Sequence, residues 1–256
     1  MPQSQNKSLS GKVAIVTGGV KGIGLASAIE LAKKGANVVI ADLDDSDADK
    51  AVLEITNLGV QSFFQKTDVT DPVQLTSLVK RCVESFGRLD IMFNNAGVAG
   101  GGKLLDWTPE EYRRVVSVNQ DGVFYGIQAA ARAMIKLGNG GVIINTGSIY
   151  GQLASLYSVG YNASKAAVEN MTKSAALELA QYGIRVVNVA PGVTDTTMIN
   201  EYRNAGLENA MAKKHLRRTL IKPEDVARVV AFLASDEAAC VNGTTIYADD
   251  GFSVFK

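Results

Sequence analysis

Tyr161 and Lys165 stand four residues apart in the stretch "YNASK", a spacing that puts both side chains on one face of a helix. A phenol with its ordinary pKa of about 10 is a poor base at neutral pH. An ammonium close by favours the phenolate and makes proton exchange with an alcohol feasible. Such pairs are also common on plain helix surfaces, so this one needs a setting. "NTGS" leaves Ser148 at the carboxyl end of an apolar run, where ligands of open α/β sheets bind. "NNAG", Asn94 to Gly97, ends another apolar run in the same way, and its small residues let a ligand approach closely.

A second cluster could hold a cofactor. "TGGVKGIG" (Thr17 to Gly24) follows the apolar run "KVAIV". Glycines there are costly in conformational entropy, and an ordinary strand-to-helix turn needs one at most. In a dinucleotide-binding turn the first glycine allows the bend, the next admits a pyrophosphate, and the last lets helix pack on strand. The anion then rests on the positive end of the helix starting near Gly22. The spacing Gly18-x3-Gly22-x-Gly24 is one residue longer than the generic G-x-G-x-x-G. Asp42 ends the run "VVIAD" 18 residues past Gly24, where an acid accepts hydrogen bonds from the adenosine ribose. A 2'-phosphate would meet that carboxylate in a partly desolvated pocket and be repelled. Lys21 argues the other way, but Leu43, Asp44 and Asp45 follow Asp42 with no base among them. NAD is therefore expected over NADP.

The elements that must position these groups follow from periodicity. Strands are expected at 12–17, 37–42, 61–68, 89–95, 141–148, 184–191 and 243–249, four of them almost continuously apolar, as for parallel strands covered on both faces. Amphipathic helices are expected at 22–34, 46–58, 71–86, 109–136, 160–181 and 223–234. "TPEE" and "KPEDVA" set Pro and acidic residues at helix starts. Regular β/α alternation without a linker or repeat predicts one doubly wound α/β domain over 1–256, a Rossmann fold with a seven-stranded parallel sheet. The stretch from about 194 to 221 mixes polar and apolar residues with no strand and is expected to form a helical flap over the site.

Composition narrows the function classes. Of 256 residues, 46% are hydrophobic, and 26 basic residues balance 26 acidic ones. That balance leaves no electrostatic footprint for nucleic acid or an anionic membrane. No apolar stretch approaches the roughly 18 to 20 residues needed to span a bilayer, and the N-terminus lacks the apolar core of a secretory signal. Two isolated cysteines, Cys82 and Cys240, form neither a disulfide framework nor a metal pattern, so a cytoplasmic location is expected. His215 is the single histidine and has no partners for a metal site; a solvated or substrate-distant place in the flap is expected of it. "DLDDSDAD" lacks the central Gly and terminal Glu of a calcium loop and is expected to solvate a helix start. Trp107 and Tyr112 are expected to pack at the start of the long helix.

With these residues together, the chain resembles the short-chain dehydrogenase/reductase family in its form of about 250 residues. The resemblance runs in order through "TGGVKGIG", Asp42, "DV" at Asp68 and Val69, "NNAG", Asn119, Ser148, "YNASK" and "PGVTDT" (Pro191 to Thr196). It implies that Tyr161 is the general acid/base and that Lys165 lowers its pKa and holds the nicotinamide ribose. It further implies that Ser148 hydrogen-bonds the substrate oxygen and that Asn119 holds a water linking Lys165 to solvent. Gly18, Lys21, Gly22, Ile23, Gly24, Asp42 and Leu43 would line the pyrophosphate and adenosine side, Asp68 and Val69 the adenine, and Asn95, Ala96 and Gly97 the ribose. Pro191, Gly192, Val193, Thr194 and Thr196 would embrace the nicotinamide. The helix carrying Tyr161 and the long one before it would pair across a two-fold axis, commonly within a homotetramer. One departure is "ADDG", where members of the family usually read Asp-Gly-Gly; Asp250 takes the place of a glycine.

The expected function is hydride transfer between NAD and an uncharged secondary alcohol or ketone. A sugar or polyol dehydrogenase and a 3-oxoacyl-(acyl carrier protein) reductase are the enzymatic alternatives. The carrier-protein reading is weakened by "KLGNGG" and Leu177, where docking arginines are expected. A non-catalytic nucleotide sensor on the same fold is disfavoured by intact Asn119, Ser148, Tyr161 and Lys165. Val98, Ile149, Tyr150, Leu153, Val193, Met198, Ile199 and Tyr202 are expected to give the substrate an apolar pocket, with Gln152 and Ser158 as polar contacts.

Overall fold

The computed structural model describes residues 7–254. Val13–Thr17 (β1), Asn37–Asp42 (β2), Ser62–Lys66 (β3), Ile91–Asn94 (β4), Gly141–Thr146 (β5), Ile184–Pro191 (β6) and Thr245–Ala248 (β7) form one sheet. All its pairings are parallel, and the strand order is β3-β2-β1-β4-β5-β6-β7. The order reverses between β1 and β4, which opens a crevice at their carboxyl ends. The expectation of a single-domain, seven-stranded Rossmann fold holds.

Two hydrophobic cores sandwich the sheet because successive side chains of a strand point to opposite faces. Ala14 and Val16 of β1 enter one core, while Val13 and Ile15 enter the other. Gly22–Lys33 (α1), Ala48–Thr56 (α2) and, later, Pro223–Ala234 (α9) cover the first face. Pro72–Phe86 (α3), Gly122–Leu137 (α5) and Val159–Leu179 (α6) cover the second. Start signals in the sequence act as expected. Asp71 accepts from the Val73 N–H at 2.8 Å with Pro72 behind it. Thr108 caps Pro109–Val116 (α4) by accepting from the Glu111 N–H at 3.2 Å.

Two expectations need correction. The helix expected at 109–136 is not continuous: a π-helical turn, Ser117–Asp121, separates α4 from α5 and carries Asn119 inward. Amphipathic periodicity cannot report such a turn, since one inserted residue leaves the apolar stripe nearly intact. Strands 61–68, 89–95 and 141–148 end earlier than expected, because Thr67 and Asp68, Asn95, and Gly147 and Ser148 turn away to line the crevice; 243–249 shortens to Thr245–Ala248. The 194–221 stretch is helical in part, as expected. It contains Asn200–Asn204 (α7) and Glu208–Ala212 (α8), and it is closed at its base by a parallel bridge between Thr194 and Ile221.

Candidate active site

A cavity of about 380 Å³ lies along the carboxyl edge of β1, β4, β5 and β6. Every residue assigned to the cofactor from sequence borders it except Gly24, and of the four catalytic candidates all but Asn119 do. One end is the glycine turn. Gly22 has φ +58° at the first turn of α1, and a Cβ there would press on Thr196 at 3.3 Å. Gly24 faces the turn itself: a Cβ would lie 1.9 Å from the Gly18 carbonyl oxygen. Its role is the close approach of helix to turn. Lys21, at the N-cap of α1, makes no side-chain cap, and the first turn holds no acid. Unsatisfied N–H groups there face the cavity, as a pyrophosphate requires.

The next segment is acidic. Asp42 accepts from the Val20 N–H at 3.3 Å and from the Asp44 N–H at 3.2 Å, so its carboxylate is fixed at the cavity edge. Lys21 is not free; its ammonium donates to Asp44 Oδ2 at 3.3 Å. The hydrogen bonds of Ser46 and then Lys21 draw Asp44 down to about 2. Asp68 is held by Thr70, whose N–H and hydroxyl both donate to Oδ1, at 2.9 and 2.7 Å.

"NNAG" does two jobs that its composition does not reveal. Asn95 Nδ2 donates to the carbonyl oxygens of Thr17 and Gly18, at 3.0 and 3.2 Å, tying the glycine turn to the end of β4. The Thr17 hydroxyl accepts from the N–H groups of Asn95 and Ala96. Asn94 instead points down into the protein. Its Nδ2 donates to Asn145 Oδ1 at 2.9 Å, and Asn145 Nδ2 donates to Thr172 at 2.9 Å. Gly126 makes room for that amide, since a Cβ would sit 2.0 Å from Asn94 Oδ1. Thr17, Gly126, Asn145 and Thr172 had no sequence signal, because each acts through a partner far away along the chain.

Ser148, Tyr161 and Lys165 meet where β5 ends. Every fourth residue of α6 turns inward, with Gly160, Ser164, Val168, Thr172 and Ala176 buried, and Lys165 lies beside them at 3% exposure. Lys165 Nζ donates to the Thr146 carbonyl at 2.7 Å and lies 5.7 Å from the centre of the Tyr161 ring. Burial lowers the Lys165 pKa to about 8. Burial also raises that of Tyr161, and the Ser148 hydroxyl opposes that rise. With its pKa raised from the ordinary value, the phenol holds its proton at neutral pH. The Asn119 side chain is engaged by the loop after β4. Its Oδ1 accepts from the Val98 N–H at 2.8 Å, and its Nδ2 donates to the Val98 carbonyl at 2.9 Å. The side chain fastens the loop after β4.

Val98, Ile149, Tyr150, Ser158, Val193, Met198, Ile199 and Tyr202 line the substrate end as expected, joined by Met211 and Ser155. Leu153 and Gln152 do not border the cavity. His215 is not solvated: it is 1% exposed, 5.3 Å from the Phe252 ring, and neither ring nitrogen has a partner among the described residues. Burial lowers its pKa. Trp107 packs as expected, its indole N–H donating to the Gly102 carbonyl at 2.9 Å. Cys82 is buried, with its pKa pushed up to about 12 by desolvation, which suppresses the thiolate. Among the described residues there is no His/Cys/Asp/Glu group that could hold a metal, and no helix is long and apolar enough to cross a membrane.

Comparisons with known proteins agree with this geometry. The family described as enoyl-(acyl carrier protein) reductase matches residues 18–253. A cyclohexanol dehydrogenase of Acinetobacter sp. (strain SE19) is 38% identical over 254 residues, covering 99% of both chains. An NADP-dependent (R)-specific alcohol dehydrogenase of Lentilactobacillus kefiri is 38% identical over 247 residues, 96% of this chain and 98% of that one. The crystal structure of a short-chain type dehydrogenase/reductase from Mycobacterium marinum superposes with a TM-score of 0.93 at 33% identity, covering 97% and 98% of the two chains. With the ordered glycine turn, the Ser148–Tyr161–Lys165 cluster and matches over nearly its whole length, this chain belongs to the short-chain dehydrogenase/reductase family.

Proposed function

We propose that the protein is an NAD-preferring dehydrogenase that interconverts uncharged, mostly apolar secondary alcohols and ketones. The observation that carries this reading is a single cavity with Ser148, Tyr161 and Lys165 at one end and Asp42 with the uncapped α1 terminus at the other. A bound nicotinamide would supply the hydride acceptor or donor. The residues do the rest. Ser148 orients the substrate oxygen beside the Tyr161 hydroxyl, which accepts the alcohol proton in oxidation and returns it in reduction. Lys165 stabilises the phenolate and holds the ribose. Asn119 keeps the Val98 loop against the site, and water relay past it belongs to this proposal.

Cofactor choice rests on two acids. Asp42 repels a 2'-phosphate and accepts from ribose hydroxyls, while Asp44 occupies the ammonium of Lys21, the nearby cation that would welcome that phosphate. The Lentilactobacillus relative is named for NADP, so similarity alone does not choose. Within the substrate end, apolar Val98, Ile149, Met198, Ile199 and Met211 favour an apolar body such as a ring. A sugar or polyol is the second reading, favoured by the hydroxyl-bearing Tyr150, Tyr202, Ser155 and Ser158 that line the same cavity. The carrier-protein alternative is disfavoured because Leu177, where an arginine would serve docking, is an exposed apolar residue.

Initial rates with NAD and NADP across apolar secondary alcohols, sugars and polyols test this function. kcat/KM for NAD should exceed that for NADP by at least about tenfold, or about 1.4 kcal/mol. Asp42→Ala with Leu43→Arg should move the preference towards NADP. Equal or reversed preference in the unaltered protein would show that Lys21 prevails over both acids. Activity confined to polyols would sink the apolar-substrate reading and leave the Tyr161–Lys165 chemistry standing.

The same reading includes assembly as a homotetramer in the cytoplasm. Phe124, Ile135 and Leu137 on α5 and Leu177 on α6 are exposed, Leu177 at 83%, more apolar surface than an isolated helix pair leaves in water. Light scattering should give about four times the chain mass of 27.1 kDa. A mass of one chain would overturn the assembly.

A further inference from the structure

Asp250, the residue that replaces a glycine of the family pattern, is in the left-handed region with φ +48°. Aspartate tolerates that conformation better than most residues with a Cβ, and here hydrogen bonds from a distant segment hold it there. They come from the far end of the 194–221 segment. The Leu216 N–H donates to the Asp250 carbonyl at 3.0 Å. The Arg217 N–H donates to Asp250 Oδ2 at 2.8 Å, and Arg217 Nε donates to Oδ1 at 3.0 Å. Arg218, the next residue, is also left-handed with φ +58°. One residue on from Asp250, Gly251 leaves room for Leu216, since a Cβ there would lie 2.4 Å from Leu216 Cδ1. Beyond it, Phe252 packs against His215 at 5.3 Å on one side and Tyr150 at 6.1 Å on the other. The Tyr150 N–H in turn donates to Ser148 Oγ at 3.1 Å.

Closure of this segment is not free. It buries His215 with neither ring nitrogen paired among the described residues, and desolvating an imidazole without a partner opposes closure. Leu216 adds little in return, because it remains 58% exposed. The charge-assisted contacts to Asp250 are the short ones left to hold this end, with a longer pair from Arg217 to Asp225 at 3.9 Å beside them. The two termini of the segment are joined at its base by the Thr194–Ile221 bridge, and its first half is tied by Arg203, which donates to Asp195 and Glu208.

We propose that Asp250 is a positioning residue whose carboxylate latches the 194–221 segment to the C-terminal chain, holding Met198, Ile199, Tyr202 and Met211 over the substrate. Its effect on turnover rests on the dehydrogenase reading above, whereas the latch itself does not. Lys213, Lys214, Arg217 and Arg218 are exposed beside the latch, so trypsin reports its opening directly. Asp250→Gly suits the left-handed backbone and removes the carboxylate, so the melting temperature should hold. Cleavage at 213–218 should quicken by about tenfold or more, as for a segment whose opening has become easier. Asp250→Asn keeps an acceptor for the Arg217 N–H and should fall between the two. With an alcohol substrate, KM should rise by a larger factor in Asp250→Gly than kcat falls, with Asp250→Asn again partly restoring it. Unchanged cleavage in both variants would overturn the latch, even if the protein turned over no alcohol at all. Quickened cleavage with an unchanged KM would overturn the positioning role and keep the latch. A lower melting temperature in Asp250→Gly with no quickening in Asp250→Asn would assign Asp250 to general stability and refute the proposal.

Discussion

Tyr161→Phe is expected to lower kcat by at least about 10²- to 10⁴-fold, the range for loss of a positioned general acid or base. The substitution keeps the ring and deletes the hydroxyl. Because burial already holds the phenol neutral, phenylalanine should cost little stability there. NAD affinity, followed by protein fluorescence, should stay within about twofold, since Tyr161 contributes proton transfer more than ground-state binding. A Phe variant with turnover near that of the unaltered protein would remove Tyr161 from the chemistry.

Lys165→Met is expected to damage two properties at once. The thioether has nearly the reach of the lysine stem but neither charge nor donors. Turnover should fall by at least about 10²-fold, because the phenolate loses its stabilising cation. The dissociation constant for NAD should rise as well, which separates this variant from Tyr161→Phe. Stability should move in the opposite direction. A lysine whose pKa is lowered by burial to about 8 is charged more readily in the unfolded chain. Its burial penalty is therefore full below about pH 8 and fades as pH rises towards the ordinary lysine value. At pH 7 the Met variant should melt higher than the unaltered protein. A wild-type inflection in kcat/KM near pH 8, missing in the variant, would tie that titration to Lys165. A variant with intact turnover and NAD affinity would show that the Thr146 contact is all that Lys165 provides.

The four-residue spacing of Tyr161 and Lys165 was legible because an α-helix repeats every 3.6 residues, and their common face follows from the spacing alone. The parallel, doubly wound character of the sheet was legible for a similar reason. Apolar runs of six to eight residues between amphipathic helices leave few topologies, and right-handed crossovers select among them. Local chemistry also set the helix starts at Asp71 and Thr108 and the acid at Asp42. The tertiary contacts of Asn119 were not legible. Its amide is engaged by Val98, 21 residues earlier, and the π-helical turn that presents it leaves no mark on the apolar period.

Identity, order and spacing in the sequence thus determined the fold class, the glycine turn, and the meeting of Ser148 with Tyr161 and Lys165. Each of these depends on short-range geometry or on strand ends that a parallel sheet must gather on one side. Tertiary structure alone decided the occupation of Lys21 by Asp44, the row from Asn94 through Asn145 to Thr172, and the burial of His215 against Phe252. It also decided the sign of the phenol's shift. Charge partners can be guessed from spacing, but desolvation depends on how many atoms from the whole chain surround a group. The same reason hid Asp250, whose partners Leu216 and Arg217 lie more than thirty residues away. A contact between distant residues is set by the packing of every element between them, and no local pattern carries it.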